Sequence, residues 1–418
     1  MFRIDPVIRS LLVLLACLVA LFAFLLGGRF FSFANLQSMA FQLPELGILA
    51  VAMMVTMMTG GINLSIITTA NLAGITAAFC ITRLAGADAS SGAVLGITAI
   101  AFASAMVVSA LVGAANGFVV AHLGVSAILA TLGTTTVLEG IGVLITRGSV
   151  ISGFPDAVLF IGNGTVFGVP VPLVIFAVCA VLVSVLLDRT PWGVGVRMTG
   201  SNANATAYSG VDVRRVLMKV YILSGLLCGV AALIMIARFN SARAGYGSSY
   251  LLVTVLASVL GGVNPDGGFG KVGGLVVALM VLQVIGSGLN LLGLSPHLAI
   301  ALWGGILLFV IALRLLRARR AGQCPGRYDS DKGDWTYGTT KHRGFFRRVF
   351  LRSRRGRVHR AQSDAAGARD VARTPVAREA AAFPDEQSER LARRNRRAVK
   401  PDGRRRLSGR GLHGRQGD

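Results

Sequence analysis

MMTGGINLSIITTANLAG, Met57–Gly74, interrupts strongly apolar sequence with two adjacent glycines, two asparagines, a serine and three threonines. Glycine inside a helix costs about 1 kcal/mol relative to alanine, and two in a row leave backbone groups without a regular partner. In an apolar environment such backbone is tolerated only where it is buried in protein or lines a cavity. A short apolar run broken by glycine is also a pattern that flanks the binding sites of membrane carriers. The stretch therefore predicts a break between two membrane spans, with Asn63, Ser65, Thr69 and Asn71 turned toward a polar route.

Composition places this break in a membrane body. The 418 residues are 53% hydrophobic and 15% charged, with a mean hydropathy of +0.66. Soluble domains carry about 25% charged residues. Residues 1–316 hold 14 of the 42 Lys and Arg and 8 of the 19 Asp and Glu, so residues 317–418 hold 28 and 11. Two segments follow: a transmembrane domain, 1–316, and a basic cytoplasmic tail, 317–418, too poor in aliphatics to pack a core and expected to be disordered. Phe345–Arg360 in the tail reads as a basic amphipathic segment suited to anionic lipid. The Arg-rich run near the end resembles nucleic-acid-binding arms in composition alone, so membrane lipid and not nucleic acid is the expected partner.

A crossing helix needs about 20 mostly apolar residues. Ten spans are predicted, near 10–28, 43–59, 62–82, 92–121, 126–146, 168–187, 216–238, 248–264, 272–292 and 297–316. The first is too long for a signal-peptide core and lacks a small-x-small cleavage site, so it reads as an uncleaved span, with Asp5 as N-cap and Pro6 at the first helical position. Ten spans put both termini on one side. Nine basic residues (Arg3, Arg9, Arg189, Arg197, Arg214, Arg215, Lys219, Lys271, Arg314) share that side and five (Arg29, Arg83, Arg147, Arg238, Arg243) lie opposite, which makes it cytoplasmic. The longest polar interruption, Asp188–Lys219, is then cytoplasmic. SNANATAYSGVDV within it predicts a helix of about two turns, capped by Ser201 or Asn202 and stopped by Gly210. Such a helix is either a connector or a docking element.

The chemistry of catalysis is missing from the pattern. GGFGKVGG, Gly267–Gly274, lacks the spacing of a phosphate-binding loop, and no HExxH or GxSxG occurs. Five dispersed cysteines form no CxxC, and five isolated histidines suggest no metal site. Glu45 follows Pro44 at the predicted start of the second span, where a helix N-terminus favours an anion. Glu139 is the carboxylate set deepest in an apolar run, either a proton or ion site or a partner for a neighbouring helix. Glycine, serine, threonine and asparagine recur through the spans, as close helix packing requires.

Five motifs, in order, carry a family resemblance: TGGINLS (Thr59–Ser65), NGFVVAHLGVSAILATLGT (Asn116–Thr134), GSNANATAYSGVDV (Gly200–Val213), VLGGVNPDGGFGKVGG (Val259–Gly274) and GLNLLGLSPHL (Gly288–Leu298). The chain resembles the membrane permease subunits of ATP-binding-cassette sugar importers, the ribose-permease-like branch. The resemblance covers nearly all of residues 40–316. NSARAGYGSSYLLVTVLASVLGG, Asn240–Gly262, looks closer to permeases for deoxysugars, pentitols or autoinducer sugars than to those for ribose.

The resemblance implies a ten-span, all-α permease in the bacterial inner membrane, paired with itself or a sister permease. It implies cytoplasmic ATP-binding cassette subunits that bind the ATP, leaving no cofactor in this chain, and a periplasmic or lipid-anchored sugar-binding protein. The loop with Gly200, Asn202, Asn204, Ala205, Tyr208, Ser209 and Gly210 would couple to the ATPase. Asn63, Ser65, Thr69, Asn71, Thr131, Thr134 and Asn290 are the expected pathway residues, suited to a neutral, polyhydroxylated cargo. One position departs from the family motif, which carries Asp where this chain has Asn63. Two rival readings are an ion-coupled carrier working through Glu139 and a membrane anchor presenting the basic tail.

Overall fold

A computed structural model describes residues 6–84, 91–294, 298, 301–306, 308, 327–329 and 334–336. Within residues 6–308 the described elements are α1 Pro6–Leu26, a single 3-10 turn Gly27–Arg29, α2 Phe33–Met57, α3 Ile66–Leu84, α4 Ser91–Ala121, α5 Ala127–Thr146, β1 Ile151–Ser152, α6 Asp156–Asn163, β2 Thr165–Val166, β3 Val169–Pro170, α7 Val171–Arg189, α8 Pro191–Ser201, α9 Ala203–Tyr208, α10 Val213–Phe239, β4 Ser241–Ala242, α11 Tyr250–Leu260 and α12 Val272–Leu291. Among the described residues eight helices, α1 to α5, α7, α10 and α12, are long and apolar enough to cross a membrane. The protein is a polytopic all-α membrane protein, as composition predicts. Near the other end of the chain, Arg327–Asp329 and Asp334–Thr336 form an antiparallel pair, β5 and β6. The expected disorder of the tail, its lipid-facing segment and most of the tenth span lie outside the described residues, as does Asp5.

Two spans need correction. The second does not start near residue 43: α2 begins ten residues earlier at Phe33, where the Ser32 hydroxyl accepts from the Asn35 amide, and Pro44 sits inside the helix. Proline removes one backbone donor, a loss that packed membrane helices accommodate. Glu45 is therefore a mid-helix residue. The eighth span, predicted over 248–264, contains only the 11 residues of α11 and is completed by an irregular turn from Gly261 to Lys271.

Burial sorts the helices. Most of α10 is buried, and in α2 every residue from Gly47 to Met57 is buried. Helices apolar on all sides belong in the interior. In α5 only Thr131, Leu138, Gly142 and Thr146 are buried, so much of that helix is left for lipid or another subunit. The α4–α10 contact is set by small residues four apart: Ser109, Gly113 and Gly117 on one helix, Gly225 and Gly229 on the other. A Cβ at Gly113 would lie 2.5 Å from the Tyr221 carbonyl oxygen, and one at Gly225 would collide with that of Ser109. Backbones this close are the signature of small-xxx-small packing in membranes.

The irregular segments are pinned by short ladders. β1 pairs antiparallel with β4, fixing the α5–α6 connection to the turn after α10. β2 and β3 form a hairpin whose two central residues, Phe167 (φ 51°) and Gly168 (φ 79°), both have positive φ, which matches the right-handed twist of the flanking strands.

Candidate functional site

The Gly60–Gly61 stretch is a break, tied by hydrogen bonds to three other helices, α4, α5 and α10. α2 stops at Met57, Gly60 takes φ +82°, and α3 starts at Ile66. Asn63 Oδ1 accepts from the Ser65 amide at 3.1 Å and the Ser65 hydroxyl at 2.8 Å, closing the turn into α3. Ser65 Oγ in turn accepts from Asn116 Nδ2 of α4 at 2.8 Å, and Asn116 Oδ1 accepts from the Thr134 hydroxyl of α5 at 2.6 Å. Asn63 Nδ2 donates to Ser224 Oγ of α10 at 3.3 Å, and Thr131 Oγ1 accepts from the Leu64 amide at 3.1 Å. Asn63, Ser65, Asn116 and Thr131 are all buried.

Of the seven residues expected in the pathway, Asn63, Ser65, Thr131 and Thr134 are thus gathered in one network. Thr69 is buried in α3, one turn along, where its amide donates to the Ser65 carbonyl at 2.8 Å. Asn71 reaches away from the break and donates to the carbonyls of Ala244 and Tyr246 at 2.8 and 2.9 Å. Asn290 lies on α12, outside the network, and is exposed. Sequence reading missed Asn116 and Ser224. Asn116 opened a quoted motif, so a polar amide within an apolar helix was the available signal.

Just before the break, three glycine-bearing motifs meet backbone to backbone. The Gly268 amide donates to the Met58 carbonyl at 2.9 Å. A Cβ at Gly267 would stand 2.7 Å from the Gly200 carbonyl oxygen and 2.8 Å from the Gly60 amide. One at Gly200 would collide with the Met58 carbonyl and the Gly268 amide. The turn holds its shape through Asn264, whose amide donates to the Phe269 carbonyl at 3.0 Å, while Gly267 (φ +95°) and Gly268 (φ +85°) take conformations closed to other residues.

The loop expected to couple to an ATPase hangs from this junction. Thr190 caps α8, and Asp188 at the end of α7 pairs with Arg197 on α8. Of the two caps the sequence offered for α9, Asn202 serves, its Oδ1 accepting from the Ala205 amide at 2.9 Å, and Gly210 (φ +82°) ends the segment. Thr206 is the buried anchor of α9, whereas Asn204, Ala205 and Ser209 are exposed and Tyr208 is 93% exposed. Beside it opens a cavity of about 740 Å³ bordered by Met198, Asn202, Thr206 and the 70%-exposed Phe269.

Midway along α2 lies a charge the sequence reading placed wrongly. Glu45 is not at a helix N-terminus but 1% exposed, with Oε1 2.6 Å from Arg238 Nη1 and accepting from the Tyr250 hydroxyl at 2.7 Å. Arg238 is accordingly not a free loop cation: its side chain is 19% exposed, at the end of α10. Burying such a pair is costly unless geometry and further hydrogen bonds compensate. Glu139, by contrast, is exposed on α5.

A family model described as branched-chain amino acid transport system, permease component, matches residues 35–311. The chain belongs to this family of ATP-binding-cassette importer permeases. The permease is 32% identical over 281 residues to the protein named autoinducer 2 import system permease protein LsrD of Yersinia enterocolitica, covering 66% of this chain and 82% of that one. It is 31% identical over 281 residues to the LsrD of Yersinia pseudotuberculosis serotype O:3 and 30% identical over 281 residues to that of Photorhabdus temperata, in each case covering 66% of this chain and 81% of the relative. No solved structure matches. The permease is a multi-pass inner-membrane transport subunit, in a family that works with ATP-binding and substrate-binding partners.

Proposed function

We propose that the permease, paired with a second permease, forms the pathway by which a monosaccharide or related neutral carbohydrate enters the cell, and that ATP bound and hydrolysed by separate cassette subunits drives it. The observation that carries this reading is α9. A short helix with an almost fully exposed tyrosine directly follows α8, whose Gly200 is seated on the same backbone junction that opens the α2–α3 break. An ATPase pressing on α9 would act on Met58 and Gly60 with no flexible side chain between them. Both termini are cytoplasmic in this reading, and a soluble or lipid-anchored sugar-binding protein delivers cargo at the opposite face. Asn63, Ser65, Thr69, Asn71, Thr131, Thr134 and Asn290 are the polar groups offered along or beside the route. The basic tail is dispensable. LsrD is named for autoinducer 2 import, and the polar, uncharged groups of this route suit a neutral, hydroxylated cargo.

The test is uptake of labelled sugar by cells with and without this chain, its ATPase and its binding protein. Uptake should need all three and survive deletion of residues 321–418. Tyr208→Asp or Gly210→Pro should reduce uptake at least tenfold while the protein stays in the membrane at its normal level. Uptake that persists without the ATPase sinks the proposal. Glu139→Gln should leave most of the transport intact, whereas its abolition would point to ion coupling.

A further inference from the structure

A second cavity, of about 420 Å³, lies between α2, α11 and α12, with Trp303 on its wall. Its position follows from helix lengths. Gln42 is about 22 Å before the end of α2, and Gln283 to Asn290 are about 17 to 27 Å beyond the start of α12, at 1.5 Å per residue. Met58, at the end of α2, belongs to the glycine junction, and Lys271, at the start of α12, ends the turn that carries Gly267 and Gly268, so the cavity is at the other end of the bundle. Gln283, Gly286 and Asn290, spaced by three and four, share one face of α12.

The chemistry of the lining is narrow. Gln283 Nε2 donates to Gln42 Oε1 at 3.3 Å, and Gln42 Nε2 donates to Ser38 Oγ at 2.9 Å, so the glutamine pair is oriented and Gln283 Oε1 remains an acceptor. The Asn290 side-chain amide has no hydrogen-bond partner among the described residues. Tyr250 is committed through its hydroxyl to Glu45, which leaves its ring to the cavity. Gly286 leaves room against the indole: a Cβ there would stand 3.6 Å from Trp303 Cζ2, and any longer side chain would enter the space. Among the described residues, no Asp, Glu, Lys, Arg or His lines it.

An amide both donates and accepts, as a hydroxyl does, and aromatic rings cover the C–H faces of a carbohydrate. A hydrocarbon would leave the amides unpaired, and a zwitterion or phosphate would be desolvated without a countercharge. We infer that this cavity binds a neutral polyhydroxylated molecule of monosaccharide or pentitol size, held between the α12 amides and Trp303. Its volume falls in the ~300–1,000 Å³ range of small-molecule pockets. The place of the pocket at the delivery end of a route rests on the importer reading; the binding itself does not. The absence of charge among the described lining residues also sets this cavity apart from the amino-acid cargo in the family's description.

The test uses the full chain in lipid nanodiscs without ATPase or binding protein. Trp192→Phe and Trp335→Phe leave Trp303 as the single indole of three. Titration with D-ribose, xylitol and L-rhamnose should give a saturable change in Trp303 emission for at least one of them, and none for L-leucine or ribose 5-phosphate. Asn290→Ala should raise the half-saturating concentration about tenfold. Gly286→Leu should abolish the response, and Gly286→Ala should weaken it less. Asn290→Ala alters an exposed side chain and carries the test if Gly286→Leu does not fold. Saturation by leucine or the phosphate, no saturation by any of the three polyols, or titrations unchanged by Asn290→Ala would overturn the assignment. ATP-independent uptake in cells would sink the importer reading and leave this binding result untouched.

Discussion

The two ends of the bundle are built from different materials. At one end Met58, Gly60, Gly200, Gly267 and Gly268 meet through their backbones, and the closest approaches leave no space for a Cβ. At the other end side-chain contacts join the β1–β4 ladder: the Glu45–Arg238 pair, the Tyr250 hydroxyl, and Asn71 holding the Ala244–Tyr246 turn. Backbone contacts have no rotamers to change, so a displacement of α8 would meet Met58 and Gly268 directly. Side-chain contacts can be exchanged one at a time, which suits an end that receives different molecules. The contrast fits a force-bearing end and a receiving end, and it can be attacked from either side.

The largest effect is expected at the receiving end. Arg238→Met strands a carboxylate that is 1% exposed, and breaking a buried pair from one side costs about 3–5 kcal/mol. The variant should unfold at markedly lower temperature in detergent. Glu45→Gln combined with Arg238→Met removes both charges and should recover most of the loss. A double variant no better than the single would show that the residues matter for something other than their pairing.

Gly200→Ala comes next and tests the junction. The added methyl meets the Met58 carbonyl and the Gly268 amide, and overpacking of this kind costs about 1–3 kcal/mol. The loss in thermal stability should be accompanied by a loss of ATP-driven uptake larger than the loss of folded protein explains. Uptake that simply tracks the amount of folded protein would reduce the junction to ordinary packing.

The sequence showed these two ends unequally. The break at Gly60–Gly61 and the α9 helix from Asn202 to Gly210 were readable because caps and glycine stops are local signals, written within a few residues. The Glu45–Arg238 pair was not, since its members are 193 positions apart and each looked plausible alone, one as a helix-start anion and the other as a loop cation. Pro44 misled in the same way: it suggested a helix start, but the packed interior tolerates it within α2. The eighth span looked full length because hydropathy does not register that Gly261 to Lys271 turn aside to meet Met58 and Gly200. Contacts between backbones carry almost no side-chain signature beyond glycine itself, and this chain has 52 glycines.

A smaller effect separates α9 from the junction that holds it. Asn202→Ala removes the acceptor for the Ala205 amide and should cost about 1 kcal/mol, confined to α9 because the junction does not use that side chain. Hydrogen exchange should rise at Ala205 and Thr206 and stay unchanged at Gly268. Faster exchange at Gly268 would mean that the helix and the junction are one unit, and the force-bearing end would then extend to the surface.

The smallest change is expected where this chain departs from its family motif. Asn63→Asp puts a carboxylate in a buried network, which ordinarily is expensive. Here its partners can all serve as donors. Asn63 Oδ1 already receives the Ser65 amide and hydroxyl, and the Ser224 hydroxyl, now accepting from Nδ2 at 3.3 Å, can rotate to donate instead. Asn116 remains bonded to Ser65 Oγ, so the network to Thr134 is undisturbed. A change of less than about 1 kcal/mol is expected, because three hydrogen bonds to the charged form offset much of its desolvation. Ser224→Ala should make the same substitution at least tenfold more damaging to folded yield than it is alone, since the rotating donor is then gone. If Asn63→Asp is just as mild without Ser224, the charge is being met from elsewhere, and the break is open to water.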